Sequence, residues 1–198
     1  MPEKTSRFQN APADSPSLPF AALVHPLEDF YKRGGLPLPP LQQVDGEEVP
    51  EPYKRLLVHS NDMTSTLERF YEEPIQIRVL SRRQEGNHYF REVVLCTQTE
   101  SKPVEFGAIR IHLAHFPDQA KQQILEEHWP LGRILKDCAV SYSSWPKAFL
   151  KLASDRLINT ALNLKGTHVL YGRCNTLLNA EELTLAEIVE ILPPAETA

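Results

Sequence analysis

Two ionisable side chains stand where the alternation of a strand asks for apolar ones. Across residues 183–192, Leu-Thr-Leu-Ala-Glu-Ile-Val-Glu-Ile-Leu, a two-residue period places Glu187 on the face built by Leu183, Leu185, Val189 and Ile191. Across residues 88–96 the same period sets Arg91 beside Tyr89, Val93 and Leu95. An ion held among apolar neighbours costs several kcal/mol unless it is paired or meets a ligand. A guanidinium grips a carboxylate through two parallel hydrogen bonds, and an opposed glutamate can accept from, or repel, a ligand oxygen. Glu187 and Arg91 therefore read either as structural, a buried ion pair or a strand end out of phase, or as opposite ends of a site for a small acid.

Other chemistry is weaker. His112 and His115 are three apart, a zinc spacing on a helix, but at a strand end they would point to opposite faces with no carboxylate to complete a set; no metal site is expected. His25, His59, His88, His128 and His168 are scattered. No GxSxG elbow, P-loop or GxGxxG occurs, so hydrolase and nucleotide readings lose their usual support. Cys96 alternates onto the face opposite Arg91 and reads as a small core residue. Tyr89 and Phe90 lack flanking basic residues and read as packing rather than as a stacking platform for bases.

The elements that must hold Arg91 and Glu187 belong to a chain of 198 residues, 41% hydrophobic and 24% charged, enough for one substantial core. A net charge of -5 gives no blanket of positive charge for nucleic acid. Cys96, Cys138 and Cys174 are odd in number and far apart, which suggests a reducing cytoplasm rather than a disulfide framework. No run approaches the roughly 20 apolar residues of a membrane span, and the N-terminus lacks a signal-peptide core. A soluble protein is expected, with a monomer as the default.

Ten of the seventeen prolines fall in the first 52 residues, which marks 1–52 as an arm containing one short helix at 26–33. Helices are expected at 53–59 and 65–72, the second opened by a Ser65/Glu68 capping box, and at 118–128 and 131–138. Strands are expected at 75–83, 88–98, 104–114, 142–152, 167–178 and 182–192, joined by tight connections into antiparallel hairpins. The class is α+β: a six-stranded antiparallel sheet with helices on one face. The domain spans 53–194, and 195–198 form a tail.

Four segments, in order, resemble one family. Asn61-Asp62-Met63-Thr64 running into Leu67-Glu68-Arg69-Phe70 resembles the segment that opens the binding site of chorismate lyases. Tyr89 to Leu95 is similar to their arginine-bearing strand, Pro130-Leu131-Gly132-Arg133 to their helix start, and Leu185-Ala186-Glu187-Ile188 with Leu192-Pro193 to their C-terminal glutamate strand. The resemblance covers about 53–194.

It implies a six-stranded sheet with helices and flap segments over an internal site. It also implies elimination of pyruvate from chorismate to give 4-hydroxybenzoate for ubiquinone synthesis, with no metal or organic cofactor. Arg91 would hold the ring carboxylate, Met63 and Leu131 would reach in from the flaps, and Glu187 would face the oxygen para to that carboxylate. Arg173, in a Gly172-Arg173 setting that also resembles the family's, would meet the enolpyruvyl carboxylate. The same fold serves as effector-binding domains of transcription regulators, so a non-catalytic aromatic-acid binding module is the alternative.

Overall fold

The computed structural model describes residues 20–195. A short helix α1 (Phe20–Leu23) leads into α2 (Leu27–Arg33), whose Leu27 and Tyr31 are buried. Strand β1 (Leu41–Val44) follows, then α3 (Tyr53–Leu57) and α4 (Met63–Tyr71). The hairpin strands β2 (Ile75–Glu85), β3 (His88–Thr97) and β4 (Pro103–His112) come next, with a 3-10 turn at Leu113–His115. Helices α5 (Asp118–Glu126) and α6 (Leu131–Asp137) precede β5 (Ser143–Ala153), α7 (Arg156–Leu162), β6 (Val169–Leu178) and β7 (Thr184–Leu192).

The seven strands form one antiparallel sheet in the order β1-β5-β6-β7-β4-β3-β2. The α+β class stands, with one strand more than the expected six. The extra strand is β1, four residues that pair with Phe149 to Leu152 of β5. Part of the expected arm is therefore integral to the fold: Val24, Leu27 and Tyr31 sit in the core. Residues 1–19 and 196–198 lie outside the described residues.

Alternation along the strands divides the side chains between two faces. Val94, Cys96, Phe106, Ala108, Cys174, Val189 and Ile191 point to one face and pack with Leu27 and Tyr31 of α2 and Ile158, Ala161 and Leu162 of α7. On the other face, Ile109 and Leu177 pack with Ile124 of α5 and Ile134 of α6, and Leu95 packs with Leu57 of α3 and Leu67 of α4. Helices thus cover both faces, not one. α4 is capped by Asp62, whose Oδ1 accepts from the Ser65 amide at 2.8 Å, rather than by the expected Ser65/Glu68 pair, so the helix opens two residues earlier.

Candidate functional site: a roofed cavity with a buried arginine

A cavity lies between the second face of the sheet and the starts of α4 and α6. Its floor is Ile77 of β2, Arg91, Val93 and Leu95 of β3, Glu105, Gly107 and Ile109 of β4, Asn175 and Leu177 of β6, and Ile188 and Glu190 of β7. Asp62, Met63 and Thr64 form one half of the roof, and Pro130, Leu131 and Gly132 the other. The two halves meet closely because residue 132 is glycine: a β-carbon there would stand 2.6 Å from Asp62 Oδ1 and 2.8 Å from Thr64 Oγ1. Asp62 is further fixed by the Tyr142 hydroxyl, which donates to its Oδ2 at 3.1 Å. The space open to the centres of water-sized molecules is about 60 Å³. That holds roughly four to six waters; a ring enters only as the two halves of the roof move apart.

Arg91 is the dominant charge on the wall. It is 1% exposed, and its Nε and Nη1 are buried without a hydrogen-bond partner. Burial lowers its pKa to about 10, against the opposing pull of Tyr89 and Glu127, so at neutral pH it stays a cation. Glu127, the carboxylate whose charge favours the cation, is already engaged: it accepts from the Tyr89 hydroxyl and pairs with Arg82. A fully desolvated guanidinium with vacant donors is poised to take an anion.

The other sequence-selected residues separate into two groups. Met63 and Leu131 lie with Arg91 around the cavity. Arg173 and Glu187 do not line it. Arg173 is 0% exposed and is spent on protein partners: Nε binds Glu190, Nη1 donates to the carbonyls of Leu57 at 3.3 Å and His59 at 3.1 Å, and Nη2 to that of Asn61 at 3.1 Å. His59 Nδ1 lies 3.2 Å from the same guanidinium; burial and the Arg173 charge lower the pKa of that imidazole and keep it an acceptor. Glu187 sits directly across from Arg110 in the neighbouring strand, pairs with it, and has His112 at 3.5 Å. Burial raises the Glu187 pKa, but Arg110 and His112 outweigh it and the carboxyl stays below its ordinary range.

Arg91 and Glu187 therefore lie on opposite faces of the sheet. The residues of β7 that reach the cavity are Ile188 and Glu190, one step out of phase with Glu187. The His112 and His115 rings stack at 5.7 Å, because the strand ends at His112 and the 3-10 turn brings His115 back beside it. No cluster able to hold a metal occurs among the described residues.

Comparison with solved structures supplies fold neighbours at low identity. The PhnF chain from Mycobacterium smegmatis aligns with 7% identity over 68% of this chain and 64% of its own length, with a TM-score of 0.53. The effector domain of PhnF alone aligns over 67% of this chain and 88% of the domain, at 7% identity and a TM-score of 0.51. A GntR-family transcriptional regulator from Bacillus cereus gives 12% identity over 63% of this chain and 97% of that one, with a TM-score of 0.45. No protein-family model and no curated protein matches the chain. The fold is the chorismate lyase-like one, in the form carried by regulator effector domains.

These neighbours overturn the expected enzyme. The neighbours that share the fold are PhnF and its effector domain rather than a lyase, so elimination of pyruvate from chorismate, the enzyme class and the link to ubiquinone synthesis are withdrawn. Glu187, which that reading set opposite Arg91, faces away from the cavity. Sequence reasoning also passed over Glu105 and Glu190, both 3% exposed on the cavity side. The signal for Glu105 was present: along β4 it shares a face with Gly107, Ile109 and Ile111, the same anomaly that singled out Arg91.

Proposed function

We propose that this chain is a non-catalytic effector-binding module whose ligand is a small aromatic carboxylic acid. Its carboxylate sits on Arg91, and its ring lies between Val93, Ile109 and Leu177 below and Met63 and Leu131 above. The observation that carries this reading is a buried cation with two vacant donors on the wall of a largely apolar, roofed cavity. A carboxylate there supplies the missing counter-charge and an acceptor for the guanidinium. The cavity is far too small for a polymer and takes a ring only with its roof parted, so the ligand is a small molecule rather than nucleic acid. The likeness in fold to the effector domain of PhnF supports the same role. Three free thiols suit a cytoplasmic setting.

Titration calorimetry with benzoate tests it. The unmodified protein binds with an affinity that Arg91→Gln lowers by about a hundredfold, the worth of a desolvated charged contact. Equal binding by both proteins, or none by either at millimolar ligand, overturns the assignment.

A further inference from the structure

A second hollow lies on the opposite face of the sheet, away from Arg91. One wall is the segment that follows α2, Leu36, Pro37, Leu38 and Pro39; the other is Leu157 and Ala161 of α7, and the open volume is about 820 Å³. Leu36 and Leu80 line it and stay 45% and 43% exposed. Leu80 stands there because β2 carries one residue too many: Val79 pairs with Val93 and Ser81 with Glu92, so Leu80 bulges out of the ladder. The prolines stiffen their wall and have no N–H to offer a ligand, so polar recognition falls to the floor.

That floor holds Glu92, 9% exposed. The Ser81 hydroxyl donates to its Oε2 at 2.5 Å, but its Oε1 is buried without a hydrogen-bond partner. The arginines that flank Ser81 in β2 are committed elsewhere: Arg78 donates to the Ala161 carbonyl at 3.1 Å, and Arg83 pairs with Asp29. Asp155 adds a second negative charge to the lining. The two carboxylates stand close enough together to act on one group: burial, then Asp155, then Glu92 push the pKa of the buried Tyr31 hydroxyl up. Arg156, the cation among the described lining residues, is exposed and pairs with neither carboxylate. Burial raises the pKa of Glu92, with the Ser81 hydroxyl opposing, and an incoming cation would offset that burial.

We propose that this hollow is a second binding site, for a small organic amine with an apolar body: the ammonium donates to Oε1 of Glu92, and the body lies against Leu80, Leu157 and the proline wall. A buried carboxylate without a counter-ion accepts from a cation and repels an anion. A hydrated inorganic cation would gain nothing from the apolar walls. The site is independent of the carboxylate reading of Arg91.

Titration calorimetry on the whole chain at pH 7 with 2-phenylethylamine and its uncharged counterpart 2-phenylethanol tests it. The unmodified protein binds the amine at least about tenfold tighter than the alcohol, the worth of a charged hydrogen bond. Glu92→Gln removes that preference, and Leu80→Ser weakens both ligands about fivefold, the worth of part of one leucine side chain. Where Glu92→Gln does not fold, the amine–alcohol comparison and Leu80→Ser decide. Equal affinity for amine and alcohol, no binding of the amine at millimolar concentration, a preference that survives Glu92→Gln, or affinities that ignore Leu80→Ser overturn the proposal. Benzoate titrated against the same protein reports on the Arg91 cavity, so either site can fail without the other.

Discussion

Arg91 and Arg173 lie on the same face of one sheet, both removed from solvent, and they differ in what meets them. Arg173 is saturated: a carboxylate from the adjacent strand and carbonyls from the loop between α3 and α4. Arg91 keeps two bare nitrogens on a cavity wall. The sequence environments are alike, each an arginine within a strand of buried residues, so residue type and burial do not separate a structural cation from a binding one. The partner inventory does. Arg173 ties β6 and β7 to the segment that leads into Asp62 and Met63, and so holds one half of the roof in place. Arg91 is stabilised by nothing comparable and remains available to a ligand.

Parallel substitutions sharpen this contrast. Arg173→Met strands Glu190 in the interior and frees three carbonyls, and is expected to cost about 3–5 kcal/mol in denaturant unfolding. A loss under about 1 kcal/mol would mean that Glu190 is relieved some other way and that the pair holds little. Arg91→Met removes an unpaired buried charge and fills its volume with an apolar chain, so the ligand-free protein gains on the order of 1 kcal/mol or more while benzoate binding is lost. Matched destabilisation of both variants would erase the distinction between them.

What was legible in the sequence divides along the same line. Arg91 could be found because the residues of β3 that share its face, Tyr89, Val93 and Leu95, are apolar and buried, and a charge among them needs a partner or a ligand. Glu187 stood out by the same test, but alternation says which residues share a face and not which face the cavity occupies; that depends on where α4 and α6 dock. The hairpins were readable from their tight turns. β1 was not, because four residues after a run of prolines are too few for a period to register. α7 was missed although its signals were present: Asp155 accepts from the Ile158 amide at 2.9 Å, and Asn163 closes the helix in a left-handed conformation.

The two glutamates also predict opposite pH dependences. Glu105 has its pKa raised in the folded chain, so the folded state keeps a proton that the unfolded chain releases above 4.5. The stability it confers is complete below that value and declines as pH rises toward the folded pKa, by up to about 1.4 kcal/mol per unit for one proton. Glu105→Gln should flatten that decline in denaturant midpoints collected from pH 5 to 8. Parallel curves for the two proteins would show that Glu105 is ionised in the fold. Glu187 runs the other way, its contribution present above 4.5 and lost as pH falls through its lowered folded value.

The smallest effect belongs to Glu187 itself, and it decides which face carries the site. Its side chain and that of Arg110 are 22% and 27% exposed, so solvent screens the pair and its worth is about 0.2–1 kcal/mol. Glu187→Gln keeps a hydrogen-bond acceptor for Arg110 and removes only the charge. Stability should fall by less than about 1 kcal/mol, and benzoate affinity should not change, because the whole thickness of the sheet separates Glu187 from the cavity. A large loss of affinity at unchanged stability would move the site to the Arg110 face, where Glu187, His112 and His115 are grouped, and would leave the vacant nitrogens of Arg91 without a ligand to explain them.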